Sequence, residues 1–413
     1  MSSLRERNIL HVITIHYHPL HHEVIFYYFV IMHKHILFVL DYYIPHKGWS
    51  ETVFEAIISR LFAKWYTITI LTSRFDQELP AYEGKENFHI YRIGKNRISF
   101  MFFALCKGIR IFKKHKDISL IHTSTYGGAI PASILGKFFH KRVILTVHEI
   151  FWRLRTRYKW WFKGIFYRVL EKIIFWFPYD AYHCVSYYTM NSLRMVYGIS
   201  DKKIKMIYNG VDASFRNPQE VSAADIQTRK NKYGWNNRFV ITYYGHAWKS
   251  KGLDYLVRAL PELVVVDAQL LFVFNLIDSK RTEYIKKKIR KYHPVKDGAS
   301  LWSSVQIFDS QEKNDLRTLI ASSDIIIAPS LSEWFWSVHT EAAAMGKPLI
   351  TTYIASLPEV VRGNVKFIAP SSRREIIQAI LERDQWIWNP EYIIWSKEFS
   401  RNTTVKELIK LYH

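Results

Sequence analysis

Short apolar runs alternate with amphipathic stretches along nearly the whole chain, and this alternation constrains the fold more than any other feature. Ile36–Leu40, Thr67–Thr72, His89–Arg92, Leu120–His122, Val143–Val147 and Ala181–Val185 form one series. Phe239–Tyr244, Gln269–Phe274, Val305–Phe308, Ile325–Ala328 and Pro348–Thr351 form a second. Many of these runs are apolar at successive positions. Strands buried on both faces read this way, and helices crossing over between parallel strands provide that cover. Glu51–Lys64, Tyr188–Val196, Leu253–Val265 and Lys313–Ser322 supply helical stretches between them. The expectation is α/β, with helices on both faces of parallel sheets.

The two series are separated by a polar, irregular stretch, ASFRNPQEVSAADIQTRKNKYGWNNR, over 213–238. The chain therefore divides into a front domain over 32–212, a linker over 213–238 and a back domain over 239–390. A closing segment, 391–413, carries a helix over Thr404–Leu411 that is expected to return to the front domain. A length of 413 residues is enough for two separate cores. Residues 1–31 read as an appendage, because Met32 stands just before the first strand, where a start is expected. The competing reading is a membrane-touching arm carried by the apolar Val24–Ile31. His16, His18, His21 and His22 cluster there without a carboxylate or cysteine around them, so no metal site is assigned to them.

The formal net charge is +22. Between Met32 and Asp212 there are 28 basic against 13 acidic residues, so the front half holds most of the excess. Such a field favours an anionic partner. Nucleic acid is not expected, because the basic residues form no recognisable reading motif. Cys106 and Cys184, the only cysteines, form no CxxC pair, so a reducing cytoplasm is the natural setting. No apolar run is long enough to span a bilayer.

Five motifs carry chemistry. In Ala328–Ile350 (APSLSEWFWSVHTEAAAMGKPLI) a buried strand runs into a polar loop, and a helix follows from about Ser337 to a stop at Gly346. Ligands of parallel sheets bind at the carboxyl ends of strands, and a helix N-terminus there attracts phosphate. Glu333 in the loop and Glu341 in the helix can then accept from sugar hydroxyls. In Tyr243–Leu256 (YYGHAWKSKGLDYL) a strand ends at Gly245, and a basic loop brings Lys249 and Lys251 to where a diphosphate would gain charge. Pro45–Thr52 (PHKGWSET) places Gly48 and Trp49 before a helix, with Ser50 as its N-cap. Val143–Glu149 ends a strand at His148, and Tyr208–Asp212 (YNGVD) is a turn before the linker.

These motifs, in this order from Met32 to His413, resemble the retaining GT-B glycosyltransferases of family 4. The resemblance implies two facing Rossmann-like domains with a cleft between them. It implies transfer of a sugar from a nucleotide-diphosphate sugar to an acceptor hydroxyl with retention, on a glycan or a lipid-linked glycan. It assigns Glu341 to the nucleotide ribose and Glu333 to the donor sugar, the family's glutamate pair being separated by seven residues. Lys251 falls to the leaving diphosphate and His148 to the sugar. Gly245, His246, Lys249, Phe335, Ser337, Gly48 and Trp49 complete the donor-binding set. His246 stands where the family carries arginine. No DxD-like pair occupies a suitable loop, so neither metal nor cofactor is expected for the reaction; the nucleotide sugar is the substrate. Two other readings fit the same residues: a non-catalytic sugar- or membrane-binding relative, and a sugar-nucleotide epimerase of the same fold.

Trp49, Trp65, Trp334 and Trp336 occupy positions where the family shows glycine, with Trp248 and Trp152 as two further cases. Glycine tolerates positive φ and lets backbone approach a ligand; an indole does neither. Reading UGA as tryptophan in a gene that decodes it as glycine would produce this pattern. Lastly, Phe151–Pro178 holds seven basic residues, one acidic residue and many aromatics. A helix of that kind suits an anionic membrane interface, which would place the enzyme peripherally on the inner face of the membrane.

Overall fold

The computed structural model describes residues 34–46, 48–150, 161–211, 215, 221–267, 269–277, 279–292, 304–333, 337–385 and 399–413. The front domain opens with β1 (His35–Val39), α1 (Trp49–Phe62), β2 (Thr67–Ser73), β3 (Tyr82–Lys85), β4 (Phe88–Ile93) and α2 (Arg97–Lys114). It continues through β5 (Ile118–Ser124), α3 (Ala129–Phe139), β6 (Arg142–Val147), α4 (Trp161–Trp176), β7 (Ala181–Cys184), α5 (Tyr187–Tyr197) and β8 (Ile204–Met206). Its sheet runs β3-β4-β2-β1-β5-β6-β7-β8, parallel throughout except for β3. All five residues of β1 are buried. Leu37 and Val39 point into one core cluster, and Ile36 and Phe38 into the other, as alternation across a sheet covered on both faces demands.

The back domain begins earlier than the sequence pattern places it. The stretch read as an irregular linker contains α6 (Ala223–Tyr233), capped by Ser222 at one end and by left-handed Gly234 at the other. Beyond it Trp235 is fully buried among Val240, Leu271, Val273 and Leu319, and its indole N–H donates to Gln306. The helix escaped the apolar pattern because none of its residues is buried. Then follow β9 (Phe239–His246), α7 (Leu253–Val266), β10 (Leu270–Ile277), α8 (Thr282–Tyr292), β11 (Val305–Asp309) and α9 (Lys313–Ser322). β12 (Ile325–Ala328), α10 (Ser337–Ala344), β13 (Leu349–Thr352), α11 (Leu357–Val360), β14 (Val365–Ile368) and α12 (Arg373–Leu381) complete it.

The back sheet, β11-β10-β9-β12-β13-β14, is parallel. Counted within its domain this is the order 3-2-1-4-5-6 of a doubly wound fold, and the front sheet repeats that order outward from β1. Strand order therefore reverses between β1 and β5 and between β9 and β12. Helices leave these neighbours toward opposite faces, so a crevice opens at their carboxyl ends. The last helix, α13 (Arg401–Tyr412), lies against the front domain. Leu408 and Tyr412 join its core, and the Tyr412 hydroxyl meets His122 Nδ1 at 2.7 Å. The domains are also joined where Glu359 of α11 accepts from the N–H groups of Tyr187 and Tyr188, at 2.5 and 3.0 Å, at the start of α5.

Candidate active site

At the switch point of the back sheet, the loop after β9 crosses the loop after β12. The Leu331 N–H donates to the Ser250 carbonyl at 2.7 Å. Gly252, at φ +66°, packs so closely on Pro329 that any Cβ would strike the Pro329 carbonyl. Gly245 turns the strand end at φ +127°, a backbone that L side chains rarely adopt. This local geometry drives Lys251 inward. Its Nζ lies 2.6 Å from Glu333 Oε1, with the carboxylate fully buried and the lysine 6% exposed. Ser330 Oγ donates to the same oxygen at 2.6 Å, and Glu333 Oε2 has no hydrogen-bond partner among the described residues. Burial pushes the Glu333 carboxyl up and the Lys251 ammonium down, while each partner pulls the other back toward its charged form.

Around this pair stand residues from both domains. His246 stacks on Trp248, ring centroids 4.3 Å apart. Burial, and then the Lys251 charge, hold its imidazole down at about 4. It is therefore neutral near pH 7 and does not replace the positive charge of an arginine. Lys249 is exposed. Glu341, half-buried on α10, lies 3.4 Å from the Tyr244 hydroxyl, which also donates to the Val338 carbonyl at 2.8 Å. Ser337 is the first residue of α10, so the helix starts beside the Glu333 loop. Phe335, Trp334 and Trp336 lie outside the described residues.

The front domain faces His246 and Trp248 across a cavity of about 340 Å³, within the range of small-molecule sites. His148, Glu149, Gly48, Glu51, Asp41 and Arg97 line it, together with His246 and Trp248 from the back domain. His148 is buried edge-on to Phe54, and burial holds it down at about 3. Glu149 lies near enough to Lys251 to favour its charged form. Asp41 accepts from the Gly128 N–H at 2.7 Å and forms an ion pair with Arg97 at 2.6 Å. Gly48, not Ser50, is the N-cap of α1, and no side chain caps that helix. Ser50 lies inside its first turn and donates to Glu51 at 3.0 Å. Trp49 is the first residue of α1.

Residues 50–215 match the family model "Glycosyltransferase Family 4", and residues 238–383 match "Glycosyl transferases group 1". This chain is a family 4 glycosyltransferase. It is 28% identical over 279 residues to the "Uncharacterized 41.2 kDa protein in cps region" of Klebsiella pneumoniae, covering 65% of this chain and 69% of that protein. It is 20% identical over 356 residues to the phosphatidylinositol N-acetylglucosaminyltransferase GPI3 subunit of Saccharomyces cerevisiae, covering 83% and 74%. Its structure resembles Anabaena HepE in complex with UDP-glucose, with a TM-score of 0.68, 18% identity and coverage of 91% and 98%. The GT-B fold is thus shared with solved glycosyltransferases.

Among the groups at the glycosyltransferase's site, His339, Ser330 and Glu149 were not singled out in the sequence. His339 is buried on α10, 3.4 Å from the Ala328 carbonyl. Burial, and then Lys251, hold it down at about 3. Ser330 orients Glu333, and Glu149 acts across the cleft. The one local hint for His339 is its place in SVHTE, in the first turn of the helix that follows the Glu333 loop. Nothing local marks the other two.

Proposed function

We propose that this glycosyltransferase moves a hexosyl group from a nucleotide-diphosphate sugar to an acceptor hydroxyl with retention of configuration. The observation that carries the reading is the buried Lys251–Glu333 pair at the back-sheet switch point, within electrostatic reach of Glu149 of the other domain. A diphosphate entering beside Lys251 competes with Glu333 for its ammonium. As the sugar–phosphate bond breaks, charge grows on the leaving oxygens, where a desolvated ammonium acts most strongly. The N-terminus of α10 adds its positive end. Glu333 Oε2 offers an acceptor to a sugar hydroxyl, and Glu341 offers one to the ribose. Neutral His148 and His246 can both donate and accept, which suits hydroxyls. The leaving diphosphate takes the acceptor proton on the same face, so no protein base is required.

The acceptor enters from the front domain and is lipid-linked in this reading. Phe166, Val169, Ile173 and Trp176 are exposed on α4 at spacings of three, four and three, which form one helical face. Ile98, Phe102 and Phe103 are exposed on α2. The two helices meet beside the cleft, where Tyr167 of α4 packs edge-on to Tyr126 and Arg97 of α2 lies over the Tyr126 ring. An apolar, basic-fringed face next to the acceptor side suits an anionic bilayer surface. Among the described residues, no helix is long and apolar enough to cross a membrane. Residues 151–160 of the aromatic basic stretch lie outside the described residues.

The test is a panel of nucleotide sugars with mass detection of product and NMR assignment of the product anomer. Turnover that falls by about 10²–10³ in Lys251→Ala supports the site. Unchanged turnover removes Lys251 from it, and an inverted anomer refutes retention. Pelleting with vesicles containing anionic lipid tests the surface. Equal binding by wild type and a Phe166→Ser/Trp176→Ser variant excludes the α4 face.

A further inference from the structure

Ligands of this fold bind at the carboxyl ends of the strands, so a cluster of metal-binding groups at the opposite ends calls for its own account. His35 is the first residue of β1, and His115 and Asp117 lie in the turn just before β5. One ligand atom from each lies within 4.8 Å of the others. His35 is 1% exposed. Its Nδ1 lies 2.8 Å from Asp117 Oδ2, and its Nε2 lies 2.8 Å from Thr69 Oγ1. His115 Nε2 is 3.0 Å from the Tyr91 hydroxyl. Sheet register adds a fourth group. Thr69 pairs with Leu37 and with His89, so His35 and His89 lie on the same face of the sheet, on the two strands that flank β2. The His89 and His115 rings are 4.7 Å apart.

We propose that His35, His115 and Asp117 bind one divalent transition-metal ion of the zinc type at the amino-terminal end of the front sheet. Two imidazoles and a carboxylate are the donors that zinc accepts, at about 2.0–2.2 Å. Side-chain shifts of under about 1 Å bring three atoms so placed to that distance. The ion takes the place of the proton between His35 and Asp117, and His89 or water fills the fourth position. Lys114, next to His115 in sequence, is directed over the Tyr82 ring at 4.9 Å. The ion ties β1 to the α2–β5 turn. It acts on stability and takes no part in the transfer reaction.

The experiment uses the full chain without an affinity tag, with His16, His18, His21 and His22 replaced by alanine so that the N-terminal cluster cannot compete. After chelator treatment it is titrated with Co²⁺, followed by visible absorption, and with Zn²⁺ against a chromophoric chelator. The expected result is one equivalent bound and a higher melting temperature with Zn²⁺. His115→Ala and Asp117→Asn should each weaken binding by more than about tenfold, since even outer-shell changes at metal sites cost about that much. Asp117 is exposed, so Asp117→Asn keeps the fold and decides the matter if His115→Ala does not. Less than half an equivalent bound, or the same affinity in Asp117→Asn as in the parent, overturns the proposal.

Discussion

Replacing Lys251 with methionine removes the ammonium and keeps the length of the apolar stem. It leaves Glu333 fully buried, with Ser330 Oγ as its one remaining hydroxyl donor among the described residues. A buried carboxylate stripped of its partner costs about 3–5 kcal/mol, unless it takes up a proton. Protonation sets a ceiling. Neutralising a carboxyl with an unfolded-state pKa of about 4.3 costs about 3.7 kcal/mol at pH 7 and about 1 kcal/mol at pH 5. The folded variant then holds a proton that the unfolded chain has released. Its stability is full below about pH 4.3 and falls by about 1.4 kcal/mol per pH unit above it. Urea unfolding of wild type and Lys251→Met at pH 5, 6 and 7 measures this directly. The deficit should grow with pH from about 1 to above 3 kcal/mol. Lys251→Met/Glu333→Gln should recover at least about 2 kcal/mol relative to the sum of the single variants, because no buried charge remains. A deficit that is flat with pH, or a double variant equal to that sum, refutes the reasoning.

Other outcomes follow from other sites. Trp65 sits at φ 67° just after α1 with its indole 67% exposed, so Trp65→Gly should raise stability by about 1 kcal/mol in urea unfolding. The peptide mass spectrum of the natural protein should show glycine there if the codon is UGA; a plain UGG codon ends that idea. His122, His148 and His183 are buried and held below the ordinary imidazole range by burial, His183 at about 4. The unfolded chain therefore takes up protons first, and stability should fall as pH drops from about 6.5 toward 4, by up to about 3 kcal/mol for His183 alone; urea midpoints unchanged between pH 7 and 5 would contradict this. Glu359→Ala removes both inter-domain hydrogen bonds to α5 and should cost about 1 kcal/mol, with a larger radius of gyration in solution scattering.

Elements with a buried apolar face were legible because their residues carry the reason for their structure. Ile325–Ala328 and Lys313–Ser322 keep the bounds read from sequence. What escaped lacked that imprint. β3 is exposed at every position and pairs antiparallel at a sheet edge, so it shows no alternation. In α6 the capping serine and terminal glycine were present, but no apolar face accompanied them. At the site, residue types were legible and pairings were not. Lys251 and Glu333 stand 82 positions apart, and only the strand order brings their loops together. Trp65 shows the converse. Family expectation marked a glycine position, and the backbone there is left-handed. At Trp49 the chain is already helical.

Charge explains why the site is built around a closed pair. Three imidazoles at the site, His148, His246 and His339, are held neutral by burial, and two of its cations are already engaged, Lys251 by Glu333 and Arg97 by Asp41. The large positive excess of the chain therefore does not reside in these groups, and it remains available to steer or seat the protein on an anionic surface. On the proposed reading, a donor diphosphate gains little from long-range attraction inside the cleft. It must instead displace a buried carboxylate from Lys251. That exchange couples two events. The ammonium reaches the phosphate only as Glu333 is released, and a released buried carboxylate must find a hydroxyl donor. A donor carrying a sugar supplies both halves. A bare nucleotide diphosphate supplies one and leaves Glu333 unsatisfied, so the site favours the sugar-bearing form through the cost of an unpaired charge. Glu333→Gln lowers that cost and should narrow the affinity gap between nucleotide sugar and nucleotide diphosphate, measured by calorimetry. An unchanged gap would mean that Glu333 only positions Lys251.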